Sequence, residues 1–456
     1  MAGIGIQLRR LTQNESLWGV FRANLYSSIL SSGSWVISIT VLLLIYFFLT
    51  YQFGITAFSI QFLVAVTYLA SFSLITSGIF QHIIVRYMAD RLFDKTPYKI
   101  AGFLFSICLV LIVVSLLFAL VAVYFLLPEE PIIVKVLMVS TFVTMNLQWI
   151  FSNALAGLKE YRLIVMSFFI SYITILAFAL WLYPERLTGL LISYYVGQVL
   201  LMMLFWVHFL RAYPTNRLFN SDWINFCKFR KVLLLSGVMM HLSFWIDKYL
   251  FWFSAKTGMP VLGHLRASYI YDLPMFIAFI SMLPGLSVFF YEIEANFSRY
   301  YHRYYDAIRD GATIDEIEAK HEEQVSMAHD AMLNALKVQG MICLMLIVFS
   351  PDIVNCLHLS PLSVYLLRIN FLSAFHVALI IGLINLLYYL DKNHYVAYLT
   401  TFFFIMNLIL TWISLFLEPS WYGYGFLFSS FLTVILGILL LNKAFSRQTY
   451  EAFMFN

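Results

Sequence analysis

The sequence predicts an all-α integral membrane protein: twelve transmembrane helices in two parallel-oriented six-helix lobes. Three observations carry that expectation. Hydrophobic residues make up 62% of the chain and charged residues only 11%, with a mean hydropathy of +0.84, far from the balance of a soluble domain. Apolar runs of roughly 20 residues, the length that crosses the hydrocarbon layer, recur twelve times. The Lys and Arg residues gather on alternate connections between those runs.

Cut at charges and at Pro/Gly clusters, the spans run over 25–49, 59–85, 101–127, 132–155, 163–183, 187–210, 232–254, 269–291, 331–349, 362–390, 396–417 and 421–441. One side receives 22 of the 28 Lys and Arg residues, counting those near the span ends, and the other receives Lys135, Arg186, Lys256, Arg266 and Arg368; Lys248 lies deep inside a span. Positive charge stays on the cytoplasmic side, so both termini are expected in the cytoplasm. A missed or invented span would destroy the alternation.

The segment 1–24 precedes the first span. Ile4, Leu8, Leu11, Trp18, Phe21 and Leu25 recur at helical spacing among Arg9, Arg10 and Arg22, as in a helix lying in the headgroup layer; a short solvated lead-in is the plainer reading. It lacks the order of a cleaved signal. Residues 25–210 form the expected first lobe, 211–231 a basic cytoplasmic linker, 232–441 the second lobe and 442–456 a cytoplasmic tail. Six spans per half put the halves in the same orientation, the parallel-repeat arrangement. The opening helices of both halves are polar: "SSILSSGSW", with Ser32 and Trp35, and "SGVMMHLSFWIDK". Small and hydroxyl residues allow close helix approach or line water.

The longest connection, 292–330, reads as two helices. Phe297, Tyr300, Tyr301, Tyr304 and Ile308 share a face, Gly311 interrupts, and Thr313 and Glu316 have capping-box spacing. Ten acidic residues stand against Arg299, Arg303, Arg309 and Lys320. Two readings follow: a solvated polar face, or a docking surface for a cytoplasmic partner that uses Tyr301, Tyr304, Thr313 and Glu316.

Ionisable residues inside spans mark functional candidates. Asp247 and Lys248 are adjacent, about 100° apart around a helix, so they are not expected to face each other; each needs its own partner or water. A lysine at a helix centre costs roughly 2.5–3.5 kcal/mol on insertion scales. At 1.5 Å per residue Asp247 lies about 22 Å from the cytoplasmic end, past the midplane. Asp272 opens the next span just before Pro274, and Pro284 follows; prolines break helices where protein or water can satisfy the freed carbonyls. One reading is an anionic outer vestibule on a hydrated path. The other is a clamp in which Lys248 neutralises Asp272 or another acid. Gln81 and His82, inside the second span, are path residues or hydrogen-bonded packing. Trp35, Trp245 and Trp252 offer flat faces to sugar rings or serve as core aromatics.

Enzyme chemistry has little support. There is no DxD, no Gly-rich phosphate loop and no HExxH, and His302 and His321 have no matching nucleophile, so no catalytic residue is expected. The four cysteines have no metal or redox spacing; no metal, cofactor or nucleic acid partner is expected.

The stretches "MAGIGIQLRRL", "SGIFQHIIVRYMADRLF", "FWIDKYLFWFS" and "YDLPMFIAFISMLPGLSVFFYEIEANFSRYYHRYYDAIRDGATIDEIE" resemble the Pel-type exopolysaccharide transporters of the multidrug, oligosaccharidyl-lipid and polysaccharide (MOP) exporter superfamily. That resemblance implies two six-helix lobes around a central cavity in the bacterial inner membrane. It also implies export of a partly deacetylated, cationic amino-sugar polymer into a biofilm matrix, with a cytoplasmic glycosyltransferase and membrane subunits including a cyclic-di-GMP receptor as partners. Such a polymer would suit acids at 247 and 272. Ile79 departs from the family, whose members often carry proline after that glycine, so no kink is implied there. The alternatives are a lipid-linked oligosaccharide flippase or a cation-coupled small-molecule exporter on the same fold.

Overall fold

A computed structural model describes residues 36–454 apart from 53, 55–56, 159, 215–218 and 358. The amphipathic segment 1–24, Ser32 and Trp35 lie outside the described residues. Among those described, nine helical stretches are long and apolar enough to cross a membrane, or ten with the bent pair Asp222–Phe229 and Lys231–Phe253. The stretch Arg162–Ala212 spans 51 residues, far more than one crossing uses. It divides at the short 3-10 turn Tyr183–Glu185 into Tyr161–Leu182 and Arg186–Ala212. With the shorter apolar helix Val36–Gln52 as the first, every expected span has its helix.

The chain forms two compact units. Of the described residues, one comprises those up to 245 with 251–268, the other 246–250 and those from 269 on. In the first, the second span (Ala57–Phe93) packs on the fourth (Ile132–Gly157), the fourth on the sixth (Arg186–Ala212), and the fifth (Tyr161–Leu182) on the sixth. In the second, the eighth span (from Tyr269) packs on the tenth (Leu362–Tyr389), the tenth on the twelfth (Tyr424–Met454), and the eleventh (Asn393–Phe416) on the twelfth. Shifted by six spans, the packing order is the same. That is the structural form of a parallel repeat.

The eighth span is broken, though not where Asp272 enters it. Pro274 stays inside Tyr269–Ile280, and the interruption falls before Leu283–Tyr291, whose first turn holds Pro284. Gln339 of the ninth span (Ile314–Val348) repairs the break. Its Nε2 donates to the Ser281 carbonyl at 3.0 Å and its Oε1 accepts from the Gly285 amide at 3.3 Å. Protein, rather than water, satisfies the freed backbone. A Cβ on Gly285 would sit 2.6 Å from Gln339 Oε1, which explains glycine there.

The 292–330 segment is helical, as its periodicity indicates: a π-helical stretch Glu292–Phe297, then Ser298–Arg309, a turn at Gly311 with φ +72°, and Ile314–Val348. Thr313 caps the last with a reciprocal capping box to Glu316. The acidic helix is not separate from the ninth span but is its first turns. The expected tail likewise continues the twelfth helix to Met454. Between the seventh and eighth spans lies a small antiparallel hairpin, Met259–Leu262 with Leu265–Ala267.

Candidate functional site

Asp247 is fully buried and Lys248 is 8% exposed. The expectation that these neighbours could not face each other is overturned. Lys248 Nζ lies 3.1 Å and 3.3 Å from the two Asp247 carboxylate oxygens. The reason is reach: a four-carbon stem lets the ammonium fold back across the angle that separates the two Cβ atoms. Tyr271 donates its hydroxyl to Asp247 Oδ2 at 2.7 Å. The ammonium also sits 4.8 Å from the Phe279 ring centre and 5.4 Å from that of Phe426, within cation–π range. One carboxylate, one ammonium, a phenol and two aromatic faces therefore make a charge-balanced cluster. Asp272, in the first turn of the eighth span, is partly exposed.

Gln81 and His82 belong to a second cluster, in the other unit. Gln81 Oε1 and His241 Nε2 are 3.0 Å apart, and Gln81 Nε2 donates to Ser77 Oγ at 3.0 Å. The second and seventh spans touch here at backbone distance: a Cβ on Gly237 would lie 2.0 Å from the Gly78 carbonyl oxygen. Close approach of this kind needs small residues. Near the end of the second span and the start of the seventh, Asp90 forms an ion pair with Arg86 at 3.0 Å and accepts from Arg230 at 3.1 Å.

Trp245 is partly buried, its ring centre 6.3 Å from that of Trp252. Trp252 is stacked on Tyr68 at 4.6 Å, and the Tyr68 hydroxyl donates to the Arg266 carbonyl. Arg266 returns hydrogen bonds to the carbonyls of Trp252 and Gly258. Trp252 thus anchors the hairpin. Of the docking candidates, Tyr304 is fully buried and bonded to Thr449, with burial raising its hydroxyl above the ordinary value. Thr313 and Glu316 cap a helix, and Tyr301 packs at a tilt against Tyr305 and edge-on against Tyr389. His302 is exposed, whereas His321 donates to the Phe445 carbonyl and is lowered by burial. Sequence reasoning missed Tyr271, Phe279, Phe426 and His241 as members of these clusters; no spacing within a single helix signals the first three, whereas His241 shares with His82 the spacing S-G-x-x-x-H.

The fold is that of a membrane transporter. Over 93% of its length the chain is similar to an outward-facing multidrug resistance MATE family transporter of the MOP superfamily (TM-score 0.67, 11% identity, 96% of that chain covered). A MOP superfamily transporter from Pyrococcus furiosus, whose reverse binding-pocket polarity suggests a different function, matches over 93% of this chain and 96% of its own (TM-score 0.60, 12% identity). The MATE transporter ClbM in complex with Rb+ matches over 94% and 96% (TM-score 0.61, 12% identity). No curated protein matches the sequence.

The family model "PelG: Putative exopolysaccharide Exporter (EPS-E)" matches residues 1–453, and the chain belongs to that family. Family and fold are those of transporters, not enzymes.

Proposed function

We propose that this chain carries a cationic, amino-sugar-rich exopolysaccharide across the bacterial inner membrane, receiving it from a cytoplasmic glycosyltransferase and working beside membrane subunits that include a cyclic-di-GMP receptor. The observation that carries the reading is the exopolysaccharide exporter family match over 1–453. The charge distribution supports both termini in the cytoplasm. Asp272 and Trp245, both partly exposed, are the proposed path residues, with Ser32 and Trp35. Asp247 and Lys248 are proposed to act as a clamp, because each already meets the other's charge. The exposed acidic face of Asp315, Glu318 and Glu322 is the proposed docking surface for the synthase.

The test is export in cells lacking the chain and in cells complemented with it. Polymer should appear outside only in the second, bind an anionic resin, and lose that binding on chemical acetylation. The chain should co-purify with the glycosyltransferase, and deletion of 313–321 should abolish that association. Export unchanged by loss of the chain would end the reading.

A second reading, a cation-coupled exporter of small molecules or lipid-linked oligosaccharides, is favoured by the likeness to a multidrug resistance MATE family transporter. Ion-gradient-driven movement of a small cation by the purified chain in proteoliposomes would support it over polymer export.

A further inference from the structure

Ser77-Gly78-Ile79-Phe80-Gln81-His82 in the second span and Ser236-Gly237-Val238-Met239-Met240-His241 in the seventh share one pattern, S-G-x-x-x-H. Residues four apart lie on one helix face, so each glycine sits one turn from its own helix's histidine. The two faces meet. A Cβ on Gly78 would fall 2.5 Å from His241 Cδ2, and one on Gly237 would fall 3.1 Å from His82 Cδ2 as well as 2.0 Å from the Gly78 carbonyl oxygen. Each glycine is therefore the seat of the other helix's imidazole, and the closest helix contact carries a histidine on either flank.

We propose that this doubled motif is a proton-binding clasp. With both imidazoles neutral, the helices close glycine to glycine. In that state His241 donates through Nε2 to Gln81 Oε1, itself held by Ser77, which leaves Nδ1 as the basic nitrogen of that ring. A proton taken up by either ring places a cation in the crossing, and a second proton adds like-charge repulsion across it. The acids on these two helices within the membrane and at its inner edge are already matched: Asp90 by Arg86 and Arg230, Asp247 by Lys248. The fourth span meets the second through neutral Asn146 and Trp149, and the third and sixth through Phe103 and Tyr194. Protonation consequently opens the crossing of the second and seventh spans.

Hydrogen exchange of the full-length chain in lipid nanodiscs tests the clasp. Segments 74–90 and 232–245 are followed between about pH 8 and about pH 5, the range in which imidazoles titrate, with rates corrected for the intrinsic pH effect. In the wild type, exchange in both segments should rise about tenfold or more on acidification, as for a local opening favoured by one unit of proton linkage. In H82Q/H241Q, where amides of similar size keep the seats filled, the rise should vanish. Should that variant fail to insert, H241Q alone, which retains a partner for Gln81, should lower the rise to what His82 alone supports. A flat wild-type profile, or a rise retained without either imidazole, overturns the proposal. None of these outcomes depends on what the transporter carries.

Discussion

Around Asp247 the seventh span holds formal charges at contact distance; around His241, six residues earlier, it holds neutral hydrogen bonds and bare backbone contact. The first place is buried and the second partly buried, and both put ionisable side chains where hydrocarbon would otherwise be. The first solves the problem by balance, with a carboxylate and an ammonium locked to a phenol and two aromatic rings. The second solves it by shape: glycines admit the imidazoles closely enough for a neighbouring amide to hold one. In the ion pair each charge already meets its opposite, whereas under the proposed clasp a proton taken up by an imidazole adds a charge to the crossing. The difference suggests that rigidity and responsiveness on one helix come from different residue chemistry.

The largest break in that comparison should come from D247N, which takes the carboxylate from Lys248 and Tyr271 at once. Loss of one member of a buried pair costs about 3–5 kcal/mol, visible as reduced membrane accumulation and a lowered Tm in detergent. D247N/K248M, with no charge left to balance, should recover most of that stability. If export also returns, the pair is a clamp; if the double variant folds but exports nothing, the charges serve the path.

G237A comes next, since its Cβ meets a backbone oxygen at 2.0 Å and overpacking of this kind costs about 1–3 kcal/mol. G78A should cost less because its tightest neighbour is a side chain, the His241 ring. The reverse order in thermal melts would mean that the crossing has been misread. Y271F keeps the ring and removes the 2.7 Å hydrogen bond to Asp247, a loss of about 1.5 kcal/mol for a bond to a charged acceptor.

The smallest effect belongs to His321, in the first turns of Ile314–Val348. Burial lowers it, against the opposing pull of the Phe445 carbonyl and Glu322. A histidine lowered on folding contributes stability that is complete above its unfolded value of about 6.5 and lost as pH falls below it. Limited proteolysis of the 298–322 helices should therefore quicken between about pH 7 and about pH 5, and not in H321Q. That response should persist in H82Q/H241Q, separating loosening of these helices from the proposed clasp.

Much of the architecture is legible in local pattern. Twelve apolar runs became helices, Gly311 and the Thr313–Glu316 capping box fell where their chemistry places them, and the proline-marked eighth span is broken. The misplacement of that break and the unforeseen repair by Gln339 show the limit, because whether a proline interrupts a helix depends on who can accept or donate to the freed backbone.

By itself the sequence determined the number of spans, their repeat in two sets of six and the charged connections between them, since hydropathy and helix-breaking residues act within one segment. Only the tertiary structure decided that Asp247 meets Tyr271, 24 residues on, and that Gln81 meets His241 across 160 residues. Those pairings depend on how each helix is rotated and how closely two helices cross. Neither quantity is written in the order of apolar and polar residues, because lipid and protein interiors make the same demand for apolar surface.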